Sequence, residues 1–421
     1  MDLPVTGPPI QFTPQFGFQF DPLSAEFAQD PYPVYAAMRD HGEPVYYAGE
    51  GTWMLTRISD VEAAALDKTM LRVIDDRFSA AERRALQVQA GMHDMPYHER
   101  YVQTNMLDSE GEAHDRQRKL VFREFTPVLV ERQRPMIEAH VDALLDDIAD
   151  KREIDFVGDF AAHIPGHVIG RVIGVPDQDC PQLRIWSEDV VRYYNVGRTE
   201  DQKQAAETAV RDFCDYLTEL IDTRIRHPRN DLLTRLIACE QDGEVSRDET
   251  ISLAMLILMA GHGSTIDVLG SGLHALLRFP DEHLKLRENP GLMRSTVQEM
   301  FRFESPLPYF HRFATKDITV AGQAFEAGTR FGLLYGAANR DPDRFTDPDR
   351  FDIARRPNRH IAFGGGVHFC LGNHLSRLDM MVVFAALNTR FGSIELVEEP
   401  IYKRGLSVRG PEALKIAVQA A

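Results

Sequence analysis

The chain has 421 residues, with 47 Lys plus Arg against 64 Asp plus Glu, a formal net charge of -17, and 43% hydrophobic residues. That apolar content supplies a large core, and the negative balance opposes nucleic acid and anionic membrane surfaces. Residues 1–9 carry no basic cluster ahead of an apolar run, and the strongly apolar stretch at 253–261 is shorter than the ~20 residues of a membrane helix, so a cytoplasmic protein without a membrane anchor is expected.

No linker composition or internal repeat divides the chain, so 1–421 reads as one domain, with the Pro-, Gln- and Phe-rich residues 1–20 as an extended arm. Helical periodicity begins near Pro33 with Val34, Tyr35 and Met38, and β-formers around the Gly49 to Gly51 turn predict strands at 45–47 and 52–56. Helices are then predicted over 116–125, 128–149, 202–226, 248–278 and 291–303, with β-structure at 311–334 and again near the C-terminus. The class is mainly α with minor β. Cys180, Cys214, Cys239 and Cys370 form no Cys-x-x-Cys pair, which suits a reducing compartment.

Only Cys370 has a special setting. Residues 363–372 read Phe-Gly-Gly-Gly-Val-His-Phe-Cys-Leu-Gly, a glycine-rich turn immediately before a helical run. The positive end of that helix is expected to lower the thiol pKa, making Cys370 a thiolate metal ligand. Gly364, Gly365 and Gly366 let the backbone approach a flat partner, and Gly372 lets the next turn approach the sulfur.

The spacing Phe363, Gly366, His368, Cys370, Gly372 resembles the haem-binding signature of the cytochrome P450 family, and the likeness runs from about Asp30 to the C-terminus. It implies the family's triangular helical fold, with haem b (iron protoporphyrin IX) held by Cys370 between a long kinked helix and the cysteine-loop helix.

The kinked helix matches Ala260-Gly261-His262-Gly263-Ser264-Thr265. Gly261 and Gly263 each weaken a helix by roughly 1 kcal/mol relative to Ala, and Ser264 or Thr265 can divert a backbone carbonyl, so a local opening is expected. The family usually carries an acid followed by threonine here, a pair that delivers protons to iron-bound oxygen. In this chain the two positions are Gly263 and Ser264. Thr265, ordered water, a substrate group or Asp267 remain to share the task.

Glu299 and Arg302 share a helix face at i and i+3 and resemble the family's buried structural pair, completed downstream by an arginine that is assigned to Arg350. By the same resemblance His114, Arg118, Arg312 and His368 bind the haem propionates. A pocket is expected from Met259, Ala260, Gly263, Leu307, Tyr309, Phe310 and Leu406, with the regions 74–105, 190–196 and 406–408, and hydroxyls from Tyr193 and Tyr194. Its lining suits a hydrophobic or aromatic small molecule. Arg116, Lys119, Arg123, Arg355, Arg356, Arg359 and Arg377 form a basic strip, read either as solvated charge or as the docking face for a ferredoxin or flavodoxin-type donor. No flavin or iron–sulfur motif is present, so electrons are expected from separate proteins.

These features imply a monooxygenase that uses O2 to hydroxylate or oxidatively dealkylate its substrate. A peroxide-using or non-hydroxylating haem-thiolate enzyme catalysing coupling or dehydration, a non-catalytic haem sensor and a carrier of hydrophobic ligands are the alternatives. Productive turnover with peroxide but not NAD(P)H, haem binding without oxidation, and ligand binding that survives Cys370→Ser distinguish them in turn.

Overall fold

In the computed structural model the described residues are 20–73, 79–89 and 91–420, so the expected arm at 1–20 lies almost wholly outside them. Long helices enclose a core that runs from Tyr101 to Val418, and the sheets lie at its edges. Five strands order as Val45–Tyr47, Thr52–Leu55, Arg330–Leu334, Tyr309–Ala314 and Met70–Leu71, with Trp53 opposite Phe331 in the parallel pair and Tyr309 opposite Leu334 in the antiparallel one. The C-terminal strand Lys415–Ala420 lies between Phe391–Leu396 and Glu153–Asp155.

The expected helices form with informative differences at their ends. The helix expected over 202–226 is Glu200–Arg226, begun by a capping box in which Thr199 accepts from the Gln202 N–H and the Gln202 side chain accepts from the Thr199 N–H. The one expected over 128–149 is two pieces, Pro127–Glu131 and Arg134–Asp147, the second opening with Pro135 where a missing N–H costs nothing.

The helix expected over 248–278 also divides, into Arg247–Ala260 and Gly263–Arg278. Its span is long and apolar enough to cross a bilayer by composition, further than the 253–261 stretch suggested, and 78% of its most apolar window is buried inside the protein. Neither Ser264 nor Thr265 makes the break by bonding back to a carbonyl. Instead the His262 ring donates from Nδ1 to the Leu258 carbonyl, and its Nε2 lies where a Cβ on Gly166 would stand, 2.5 Å away. A Cβ on Gly261 would meet Ile169 Cγ1 at 2.8 Å. The break is therefore set by interlock with the helix Pro165–Ile173, which brings backbone and imidazole closer than any side chain at Gly166 or Gly261 permits.

Candidate active site

Cys370 follows the short 3-10 turn Gly366–His368 and precedes the helix Asn373–Arg390. Its N–H donates to the Phe363 carbonyl at 3.0 Å, and Asn373 Nδ2 donates to the Cys370 carbonyl at 2.9 Å. Gly366 has φ +68°, and a Cβ there would stand 2.4 Å from the Ala65 carbonyl oxygen. The close approach of the neighbouring helix Ile58–Leu66 is one reason this position takes glycine. Burial pushes the Cys370 thiol up; the Gly372 backbone N–H, Arg377 and Arg118 oppose it. Burial thus works against the lowering expected from the helix start.

Cys370 lies deep in the fold yet keeps accessible surface, as a group on the wall of an internal space does. A Cβ on Gly372 would meet nothing within 4 Å, and the same holds at Gly263. In the broken helix, Ala260 is exposed and Gly263 and Ser264 are half-buried, whereas residues 250–259 and 265–276 around them are buried. The break thus opens onto space. Thr265 Oγ1 and Ser376 Oγ, 2.9 Å apart, tie the two helices beside it. Asp267 turns to Lys403 Nζ, 2.6 Å from its Oδ1, and burial raises its pKa against the pull of that lysine.

The four expected propionate ligands converge on the cysteine loop. Arg118 Nη2 donates to the Phe369 carbonyl at 2.7 Å, and the His114 and His368 rings are 4.6 Å apart. Arg312 is buried and acts electrostatically on His368. His114 Nε2 is buried without a hydrogen-bond partner. Sequence reasoning missed Glu110, 3.1 Å from His368 Nε2, and Arg72, whose backbone N–H donates to Glu110 and whose guanidinium lies 3.5 Å from Asp108 and 2.8 Å from His311. Neither residue stands in a motif; only pairing of distant segments unites them. A cysteine that keeps some accessible surface, open space at two glycines, a cluster of cationic groups and an orphaned imidazole nitrogen fit haem with its two carboxylates.

Glu299 and Arg302 are fully buried, with Arg302 Nη2 donating to Oε1 at 2.7 Å and Nε to Oε2 at 2.8 Å. The third member is Arg355, whose Nε donates to Glu299 Oε1 at 3.1 Å. Arg350 is not: its side chain is 66% exposed, and it gives only its carbonyl to Arg302. Two arginines within five residues left the assignment open to error, and the fold of the 348–358 segment decides it. Arg355 therefore leaves the basic strip, as do Arg116, paired with Glu249, and Arg377, stacked 4.1 Å from the Phe363 ring centroid. Lys119, Arg123, Arg356 and Arg359 stay exposed, and so do the apolar Leu66, Phe122, Val367 and Phe369.

The expected pocket residues separate. Tyr309 and Phe310 alternate on their strand: Tyr309 packs with Leu406 in the core formed by Phe27, Tyr35 and Met38, while Phe310 lies under the Arg72 guanidinium at 5.0 Å. Leu406 is 1% exposed and belongs to that core, not to a pocket lining. Ala260, Leu307 and Phe310 keep accessible surface, and Met259 is buried. The Tyr193 hydroxyl is taken by the Gly91 carbonyl; Tyr194 stands 6.0 Å from the His98 ring. Of the 74–105 region, residues 74–78 and 90 lie outside the described residues.

The family model described as Cytochrome P450 matches residues 184–414. The polyketide biosynthesis cytochrome P450 PksS of Bacillus subtilis (strain 168) is 32% identical over 411 residues, covering 95% of this chain and 98% of that protein. The 6-deoxyerythronolide B hydroxylase of Saccharopolyspora erythraea is 32% identical over 400 residues, covering 93% and 97%. Among solved structures, P450BioI in complex with acyl carrier protein ligated with hexadec-9Z-enoic acid aligns with a TM-score of 0.84 at 31% identity, covering 94% of this chain and all of that one.

Proposed function

The chain belongs to the cytochrome P450 family and is a haem-thiolate monooxygenase, and from that premise we propose that it oxidises a C–H bond of a hydrophobic, oxygenated small molecule of polyketide or fatty-acyl type, with Cys370 as the iron ligand. The observation that carries this reading is the partly exposed Cys370 in its glycine loop, with open space at Gly372 and at Gly263 on the broken helix. When bound, haem activates O2, and the thiolate favours O–O cleavage.

The chain's own residues hold and meter. His114, Arg118, Arg312 and His368 bind the propionates, neutralising carboxylates that burial alone would disfavour. Glu299, Arg302 and Arg355 fix the segment that leads to the cysteine loop. Ala260, Leu307 and Phe310 meet the substrate, and Ser264 presents the hydroxyl that relays protons, beside the space at Gly263. The substrate class rests on relatives named for polyketide and macrolide chemistry and on an acyl-bound structural neighbour.

Electrons come from a separate acidic ferredoxin or flavodoxin-type protein. Leu66, Phe122, Val367 and Phe369 offer it an apolar centre near the cysteine loop, with Lys119, Arg123, Arg356 and Arg359 as charged surroundings. The reaction runs in the cytoplasm, where such donors are found.

A spectral titration of the ferric protein with macrolactones, free fatty acids, acyl carrier protein thioesters, terpenoids and simple aromatics tests the substrate class. A saturable low-to-high-spin shift with one of the first three is expected; shifts confined to terpenoids or aromatics contradict it. Glycine at the usual acid position favours one second reading, a peroxide-using enzyme. Product formed with hydrogen peroxide, and none with NAD(P)H and redox proteins, would select it.

A further inference from the structure

Monooxygenation consumes protons as well as electrons: RH + O2 + NAD(P)H + H+ gives ROH + H2O + NAD(P)+. The O–O bond breaks, one oxygen enters the C–H bond, and the other leaves as water with two protons. With Gly263 where the family carries an acid, the described residues place no carboxylate at that position. The space is there, and residue 263 brings no carboxyl to it.

One turn further along the same helix stands Asp267, at i+3 from Ser264 and i+4 from Gly263, spacings that share a helix face. It is 1% exposed, its Oδ1 lies 2.6 Å from Lys403 Nζ, and its Oδ2 is buried without a hydrogen-bond partner. Lys403 belongs to the segment 400–411 that closes over this helix, where Gly410 approaches so tightly that a Cβ would meet Asp267 Oδ1 at 2.5 Å. The lysine side chain is 35% exposed. A buried carboxylate thus touches, on one side, a cation that reaches solvent, and on the other keeps an oxygen unused.

We infer that the Asp267–Lys403 pair is the proton inlet of this enzyme, taking the part of the missing acid and passing protons through water to Ser264. A purely structural pair anchoring the 400–411 segment is the competing account, and the coupling measurements below separate the two. A relay needs donors and acceptors in sequence, and the free Oδ2 supplies the acceptor that a bridging water would use. The charged groups acting on Asp267 are Lys403 and, from the helix Cys180–Tyr193, Glu188, which is itself paired with Arg184. Burial favours the protonated carboxyl and Lys403 opposes it, so the group can both hold and release a proton.

The inference rests on the monooxygenase reading, and the test separates the two. With haem-loaded protein, 7-ethoxycoumarin as dealkylation probe and a surrogate ferredoxin and reductase, Asp267→Asn should lower product per NADPH consumed by about a hundredfold and raise peroxide release, the lower end of what a positioned acid contributes. Asp267→Glu should recover most of the coupling. Product formed with hydrogen peroxide should change by less than about twofold in Asp267→Asn, because RH + H2O2 gives ROH + H2O without outside protons; a misfolded active site would lose both activities together. Gly263→Glu should restore coupling in the Asp267→Asn background and add little to the unmodified enzyme.

Infrared titration needs no turnover. A protonated-carboxyl band absent in Asp267→Asn should appear as pH falls, at a higher midpoint in Lys403→Met. Unchanged coupling in Asp267→Asn, equal loss with NADPH and peroxide, or a band indifferent to Lys403→Met overturns the inlet alone. Wild-type product with peroxide and none with NADPH overturns the monooxygenase reading and the inlet with it.

Discussion

Glu299, itself fully buried, takes hydrogen bonds from the Arg302 and Arg355 guanidinia, the Asn358 amide and the Asp352 N–H. A buried carboxylate so surrounded is costly to unpair, so Arg355→Ala should lower stability by roughly 3 kcal/mol, whereas Arg350→Ala on the surface should stay within about 0.5 kcal/mol. Urea midpoints of the two variants check this, and equal losses would contradict it. At Cys370, serine leaves the fold but not the thiolate: haem should still bind, and the reduced carbonyl complex should absorb at the shorter wavelength of a non-thiolate haem. Cys370 stands out in the sequence as the candidate ligand because a ligand loop needs its glycines at fixed offsets. Arg355 was not, since nothing local separates it from Arg350; nor were Arg72 and Glu110, which lie 38 positions apart in the chain yet hydrogen bond.

Among the elements, the broken helix has the most consequence for the site. The sequence predicted a weakening from Gly261 and Gly263, and the break is there, but packing against the helix Pro165–Ile173 gives it its form. Gly166→Ala places a methyl 2.5 Å from His262 Nε2, so it should displace the imidazole and cost about 1–3 kcal/mol by overpacking. The variant's thermal midpoint and its resting spin state should shift together; a shift in the midpoint alone would separate the interlock from the opening at Gly263. Strand alternation likewise could have warned that Tyr309 and Phe310 do not line one surface. Leu406 had no such signal, because its place in the core with Phe27 and Tyr35 depends on where the C-terminal segment returns.

For the whole molecule, buried imidazoles make stability depend on pH in the acid range. Burial lowers His98 to about 4, and burial lowers His262 to about 4 against the Leu258 carbonyl that favours its charged form. Both are neutral when folded and protonate near 6.5 when unfolded, so their contribution is present above pH ~6.5 and is lost as pH falls toward 4, up to about 3 kcal/mol each. Urea midpoints should fall over that window and fall less steeply in His98→Asn; a flat profile would contradict the burial. Turnover with an acidic donor should weaken as salt rises, and more weakly so in Lys119→Ala/Arg123→Ala. The mainly helical class and the order of the motifs were legible from periodicity and spacing, while the substrate space depends on long-range packing that no local pattern encodes. The measurement that tests the central claim most directly is turnover of the compound found by spectral titration under 18O2, with NAD(P)H and redox proteins in ordinary water. One 18O atom per turnover is predicted, in the new hydroxyl of a hydroxylated product or in the carbonyl fragment released by dealkylation; products that carry no 18O between them would contradict a monooxygenase.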